Sequence, residues 1–436
     1  MITTNKTANA LPIAYVADST GIYHATSVTA SGRIYKNGTS NIVSGLGDIY
    51  DIKIYKDYLW VRYQLAGVSN LGAYGPLTSG SAQWFPAILS TFTPNYWGQI
   101  ITGQDGYLYS TNGNYISRLD PLTLGTSGIA PTFDQVPVFT NGVQTSGFTA
   151  LDALKLKNGE YTTCITEYGT KIMIGTVSGK IFPWNRQLGT LGNPGLADLP
   201  VTFDENGIFQ LYSYKNKLYV TAGRNGNVYI SDGTNYRKLA QIPFNGERPF
   251  VSYYPNAITA SGKGTILIGN VSTNGIAQCG VWEITDGGEV VLAYALPTGT
   301  TSTSNIGIGF VNLNTSDNNI SAGWYNGNTQ GIDESTGTYA DMTIESPLLI
   351  VGKYNFKKTF EYLEWLLSDV MAAGGSITVS YRRNKGEAYT PIKTWDFATL
   401  GAISSYEDGS AISDCEKIQF KIETEGNINL INMIIR

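Results

Sequence analysis

Residues 215–233, KNKLYVTAGRNGNVYISDG, decide the fold. They read as a turn, a strand through Leu218 and Val220, a Gly/Asn turn over 224–227, and a second strand through Val228 and Ile230. The Asn225-Gly226 step is the residue pair that supplies positive φ in tight hairpins. Relatives of this unit start at Gly21 (GIYHATSVTASGRIYKNG), Lys56 (KDYLWVRY), Asp105 (DGYLYSTNGNYISRLD), Gly169 (GTKIMIGTVSGKIFPWN), Lys263 (KGTILIGN, then GVWEITDGG) and Asn318 (NNISAGWYNGNTQGID). Taking the first aliphatic residue of each as an anchor gives Ile22, Leu59, Leu108, Ile172, Leu218, Ile266 and Ile320.

The gaps between anchors are 37, 49, 64, 46, 48 and 54 residues. Their mean of about 50 sits at the long end of a four-stranded propeller blade, and β-solenoid turns are much shorter. The fold class is therefore all-β: a β-propeller over 1–342, with seven blades expected and six or eight as alternatives, followed by a small β-sandwich over 343–436. The 64-residue gap holds a Pro/Gly-rich segment, 121–147, which reads as an insertion on one face. A blade cannot bury both faces alone, and stacking in a ring covers them.

The character of the chain changes near Met342. Charge becomes denser, and Ile377, Val379 and Tyr381 alternate, as do Ile418, Phe420 and Ile422. This is the pattern of strands with one buried face. The stretch 360–371 also fits a helical period through Phe360, Leu363, Leu367 and Val370, but a strand is the preferred assignment.

Composition narrows the function. Only 14% of the 436 residues are charged, against roughly 25% in ordinary soluble domains, while 42% are hydrophobic. Such a surface suits packing against neighbours or contact with sugar hydroxyls. The net charge of −5 and the lack of a Lys/Arg cluster argue against nucleic acid as a partner. No apolar run is long enough to insert in a membrane as a helix, and the polar start 1–10 does not read as a secretory signal. Cys164, Cys279 and Cys415 lack metal or disulfide spacing and read as buried apolar residues; His24 stands alone, so no metal site, cofactor or Ser-His-Asp triad is expected.

Propeller hydrolases use paired carboxylates. Here Asp18, Asp48, Asp51, Asp105, Asp204, Asp232 and Asp286 sit beside turn residues and read as caps of local backbone. Residues 231–236, SDGTNY, lack the spacing and the final Trp of a sialidase Asp-box. No catalytic residue is assigned. Aromatic residues in loop-like contexts, Trp84 with Phe85, Tyr96 with Trp97, Trp184, and Trp324 with Tyr325, are the candidate glycan or partner contacts, the competing role being packing between blades.

Three segments of the last 90 residues carry a family likeness: Glu345-Ser346-Pro347 before a short apolar strand, Lys357-Lys358-Thr359-Phe360 opening a long one, and 375–382, GSITVSYR. In them the chain resembles bacteriophage tail-associated virion proteins with a degenerate propeller and a C-terminal sandwich. The resemblance implies a non-enzymatic structural protein located in the virion after assembly in the host cytoplasm. It implies multiple copies in a symmetric assembly with other virion proteins. The alternative is receptor or glycan binding at a tail tip during host attachment, with host surface polysaccharide as partner; a glycan-cleaving propeller enzyme is third.

Overall fold

The computed structural model describes residues 11–27, 31–38, 40–92, 98–119, 121–123, 132–133, 136–140, 143–148, 153–187, 196–203, 205, 207–243, 251–261, 264–272, 279–295, 306–313, 319–326, 329–334, 342–346, 349–350, 362–367, 375–384, 386–397, 404–408, 417–425 and 430–435. Among the described residues all 41 elements are strands.

Blade 1 is an antiparallel meander of β1 (Leu11–Asp18), β2 (Gly21–Ser27), β3 (Gly32–Lys36) and β4 (Ser40–Leu46). Blade 2 repeats it with β5 (Asp48–Tyr55), β6 (Tyr58–Leu65), β7 (Val68–Gly75) and β8 (Gln83–Phe92). Blade 3 takes β9 (Ile100–Thr102), β10 (Leu108–Asn112) and β11 (Tyr115–Leu119). Two hairpins follow, β12 (Pro121–Thr123) with β13 (Thr132–Phe133) and β14 (Val136–Thr140) with β15 (Val143–Phe148), before β16 (Leu154–Lys155) completes the blade. The long gap in the repeat is thus an insertion between the third and fourth strands of one blade.

Blade 4 is β17 (Thr162–Tyr168), β18 (Lys171–Thr176), β19 (Lys180–Trp184) and β20 (Val201–Thr202); blade 5 is β21 (Ile208–Tyr214), β22 (Lys217–Ala222), β23 (Asn227–Ser231) and β24 (Tyr236–Gln241). Then come β25 (Val251–Ser252), β26 (Ile258–Ala260), β27 (Ile266–Gly269), β28 (Val271–Ser272), β29 (Gly280–Ile284) and β30 (Val290–Ala295). Of these, β26, β27, β29 and β30 form blade 6. Blade 7 is β31 (Ile306–Leu313), β32 (Ile320–Asn326) and β33 (Thr329–Glu334), with β28 paired to the first two residues of β31 on the edge away from β32 and β25 paired to β28. The first strand of each blade lies beside the first strand of the next, in the order β1, β5, β9, β17, β21, β26, β31 and back to β1. Seven blades close the ring.

Each anchor lies on the second strand of its blade, one strand later than the hairpin pattern implied. The two-residue turn with both φ angles positive precedes that strand: Lys56-Asp57 enters β6 and Lys215-Asn216 enters β22. After β22 the positive angles fall on Gly223 and Gly226, across a four-residue turn, and not on Asn225. The second strands are the most buried, with Leu59, Leu108, Ile172, Leu218 and Ile266 all at 0% exposure. A side chain on these strands is covered by the sheets on either side, each such burial being worth roughly 1.5–3 kcal/mol.

The chain divides into two compact units, Met1–Ser335 and Thr336–Arg436; the change of composition at 342 marks the first strand of the second unit. That unit has β34 (Met342–Glu345), β35 (Leu349–Ile350), β36 (Tyr362–Leu367), β37 (Gly375–Arg382), β38 (Thr390–Phe397), β39 (Ser404–Asp408), β40 (Lys417–Glu425) and β41 (Leu430–Ile435). They form two antiparallel sheets, β34-β40-β37-β38 with β35 also on β40, and β39-β36-β41. Ile377, Val379, Ile418, Phe420 and Ile422 are buried as the alternation required, while Tyr381 is half-buried. The ambiguous stretch is a strand from Tyr362 to Leu367, because β39 and β41 flank it on both edges.

Gly175 on β18 is a close-packing position: a Cβ there comes within 2.7 Å of both Cys164 Sγ and Ile208 Cγ2, the latter on the next blade. Gly175→Ala is expected to lower propeller stability by about 1–3 kcal/mol. Gly80→Ala, where a Cβ meets open space, is expected to change it by less than about 0.5 kcal/mol. Denaturant titration followed by tryptophan fluorescence compares the two, and equal effects would refute the close packing.

Candidate functional site in the central channel

The seven innermost strands run in the same sense around the axis, and five of them carry a one-residue bulge at the same place. The shift falls between Pro12 and Ala14, Ile49 and Asp51, Thr162 and Cys164, Ile208 and Gln210, and Ile308 and Phe310, in each case opposite the residues three and four beyond the anchor. A bulge leaves one residue outside the ladder and re-aims its neighbours. The positions after it are therefore equivalent from blade to blade.

On blades 2, 3 and 5 the position equivalent to the first residue after the bulge carries a polar side chain that reaches the next blade. Asp51 Oδ2 accepts from Ile100 N at 2.7 Å, linking blades 2 and 3. Gln99, at the equivalent place on blade 3, accepts from Ile165 N at 2.7 Å through Oε1. Gln210 Nε2 donates to the carbonyls of Tyr254 (2.8 Å) and Ala257 (3.0 Å), joining blades 5 and 6. The bulged Thr163 donates its hydroxyl to the Ile208 carbonyl between blades 4 and 5. Ile49 N donates to Ser27 Oγ at 3.2 Å from blade 2 to blade 1, and Val311 N to Asn256 O at 3.0 Å from blade 7 to blade 6. The last junction, blade 7 to blade 1, is a stack of Phe310 on Tyr15 with centroids 5.3 Å apart.

The second position is an apolar belt of Tyr15, Ile52, Ile100, Ile165, Leu211, Ile258 and Val311, every one under 9% exposed. The third position is Val16, Lys53, Ile101, Thr166, Tyr212, Thr259 and Asn312. Residues of all three positions surround an axial cavity of about 320 Å³ to which every blade contributes. Its floor is Asn256, whose Nδ2 lies 3.0 Å from Asp51 Oδ1, 3.3 Å from the Ile13 carbonyl and 3.5 Å from the Tyr50 carbonyl. One amide thus spans from blade 6 to blades 1 and 2.

Asp51 is the acidic residue at this floor. Besides Ile100 N and Asn256, Ile52 N donates to its Oδ1 at 2.8 Å. Desolvation by complete burial nevertheless pushes its carboxyl up to about 7, outweighing these hydrogen bonds and the attraction of Lys53. Asp51 is no turn cap: its strand, DIYDIKIY, hides a polar residue inside an apolar run. The other carboxylates divide. Asp18 and Asp232 cap turns, accepting from Thr20 N and from Thr234 and Asn235 N. Asp105 accepts from Tyr107 N and from the Tyr109 hydroxyl. Asp286 instead reaches from blade 6 to Lys217 Nζ and Tyr219 OH on blade 5. Asp204 lies outside the described residues.

The candidate aromatics do not gather into one site. Trp184 is fully buried, set edge-on to Tyr109 at 5.9 Å, with Nε1 donating to the Gln187 carbonyl. Trp324, 4% exposed, lies in β32 against Gly331. Both are strand residues packed inside, which corrects their placement in loops: a Gly on the adjoining strand leaves the space that the indole of Trp324 fills. Trp84 is half-buried on β8, over Gly72 and 5.8 Å from the Tyr63 ring, with Phe85 half-buried beside it. Tyr325 is half-buried near Tyr254, and burial raises its phenol. Tyr96 and Trp97 lie outside the described residues. His24 is 3% exposed and stacked on Tyr35, a core position; Cys164 and Cys279 are buried, and desolvation pushes each thiol up to about 12.

From the sequence Asp51 reads only as a turn cap, and the other hydrogen-bonding residues of the channel are not singled out. A signal was present: Asp51 and Gln210 each stand eight residues before an anchor and Gln99 nine before one, polar residues in otherwise apolar strands.

No protein-family profile matches the chain, and no curated protein does. Among solved structures it is similar to the WD40 β-propeller domain of Doa1, with 13% identity over 76% of this chain and 95% of that one and a TM-score of 0.47. The propeller domain of Cps50 (Swd1) from Myceliophteria thermophila gives 12% over 76% and 98%, with a TM-score of 0.43. A putative 6-phosphogluconolactonase from Bacteroides uniformis gives 14% over 73% and 89%, with a TM-score of 0.43. These are likenesses of fold. The chain is a β-propeller protein by its own strand pairing and its closed ring.

Because the folded pKa of Asp51 lies above the ordinary carboxylate value, stability is lost as pH rises from about 4 to about 7 and is flat above, for a total of about 4 kcal/mol from this group. Asp51→Asn should remove that component. Unfolding free energies measured from pH 4 to 8 should show a wild-type-minus-variant difference that falls by one proton's slope and levels off near 7; a pH-independent difference would contradict the buried titration.

Proposed function

We propose that this protein is a non-enzymatic structural component of a bacteriophage virion, tail-associated, in which the propeller is a rigid platform and the C-terminal unit docks to neighbouring virion proteins. The observation that carries the non-catalytic half is the floor of the channel. Of the described residues lining that cavity only Asp51 is acidic, and three N–H donors already occupy its oxygens. Glycoside hydrolysis by the common route needs a pair of carboxylates flanking the bond. Junctions tied at every blade also suit a part that holds its shape under load.

The virion assignment rests on the C-terminal resemblance, and the described part of that motif has a structural role. Ser346 exchanges hydrogen bonds with Phe420, N to O at 2.9 Å and Oγ from N at 2.9 Å, while Gln419 Nε2 donates to its carbonyl at 2.7 Å. It fastens the end of β34 to β40. The segment 357–360 lies outside the described residues. The alternative of glycan or receptor recognition has to use groups other than Trp184 and Trp324, which are buried.

Imaging of intact particles from the phage that encodes the chain is expected to show tail density that accepts a seven-bladed ring in several symmetric copies. Particles whose complete density has no place for the ring would overturn the proposal.

A further inference from the structure

The mouth of the channel differs from its floor. At the floor every polar side chain named above is engaged with a neighbouring blade. At the third position, Lys53, Thr166, Thr259 and Asn312 line the cavity, and among the described residues no hydrogen bond or ion pair engages Lys53 Nζ, Thr166 Oγ1, Thr259 Oγ1 or the Asn312 amide. Tyr212 accepts from Ala260 N at 3.1 Å, which leaves its own proton to donate into the cavity. These five groups come from blades 2, 4, 5, 6 and 7, so they converge from around the axis. Directly beneath them lies the apolar belt.

We propose that the mouth of the central channel binds a small hydroxylated carboxylate, an acidic sugar unit of the hexuronate class. The chemistry follows from the lining. A single ammonium pairs with a single carboxylate; two hydroxyls, an amide and a phenol meet hydroxyl groups; the belt takes the carbon face of a ring. A cavity of about 320 Å³ is at the small end of ligand sites, which run from roughly 300 to 1,000 Å³. At about 320 Å³ the cavity holds one sugar unit, and a larger body must extend outward from the mouth. With a net charge of −5 the protein does not draw anions by its overall field, so the preference for a carboxylate is local to Lys53. The site does not depend on the virion role: it is a property of the ring.

The test is calorimetric titration of the full chain with glucuronate, glucose and inorganic phosphate. Glucuronate is expected to bind at least roughly tenfold tighter than glucose, the difference being one charge-assisted hydrogen bond. Lys53→Met should bring glucuronate down to the level of glucose and leave glucose unchanged. Asn312→Leu, on blade 7 and separated from Lys53 by blade 1, should weaken both sugars alike, and it keeps the idea testable if the first variant does not fold. Three results would overturn the proposal: no heat with glucuronate, glucuronate affinity unchanged in a folded Lys53→Met, or phosphate binding as tightly as glucuronate.

Discussion

The structure depends on hydrogen bonds that leave one blade's innermost strand and end on the next. An innermost strand is a sheet edge, and its outward N–H and C=O groups would face the channel without partners. Here a neighbour's side chain meets them: Asp51 takes Ile100 N, Gln99 takes Ile165 N, Thr163 and Gln210 donate to carbonyls. A buried bond of this kind is worth about 0.5–1.5 kcal/mol net, but an orphaned buried group costs about 1–3. The asymmetry makes the clamps obligatory once the blades pack. It also couples neighbouring blades, because a blade that leaves strands the groups its clamps had met.

The bulge is what makes the clamps possible. Without the extra residue, the strand alternation would turn Asp51 and Gln210 to the opposite side of their sheets, and the apolar belt would take their place. The same shift sets the order seen along the axis: hydrogen-bonded floor, hydrophobic belt, polar mouth. Asn256 completes the floor because its backbone oxygen holds blade 7 while its amide spans blades 1 and 2. Closing the ring and closing the channel are thus one event, carried out by the same residues.

The cost of this design falls on Asp51. Burying a carboxylate is unfavourable even with three donors, so its proton is held to about 7 and the ring is less stable in its charged form. Arg62, across the ladder from Asp51 and 0% exposed, is likewise lowered to about 9 by desolvation, and its guanidinium is directed to the Asn70 carbonyl at 3.1 Å. Two buried groups of opposite charge type therefore sit on adjacent strands, Asp51 met by three N–H donors and Arg62 donating through Nη1 to a backbone carbonyl.

Much of the architecture was legible in the chain. The recurring aliphatic residue of each hairpin marked the second strand of all seven blades, because that strand has sheet on both edges and its residues must be apolar whatever their neighbours. The Pro/Gly-rich segment declared itself an insertion, and the alternation at 377–379 and 418–422 declared a half-buried sheet. Other features were beyond a linear pattern. Asp51 resembled every other Asp near a turn, and only its place on an inner strand, one residue past a bulge, made it a link between blades. Trp184 and Trp324 looked like loop aromatics because Pro and Gly interrupt their strands, yet the packing of adjacent sheets buries them. Local sequence decides where strands and turns fall, since these depend on φ, ψ and side-chain period; which residues face each other across the axis depends on contacts between segments as far apart as Asp51 and Asn256, and only the closed ring decides those.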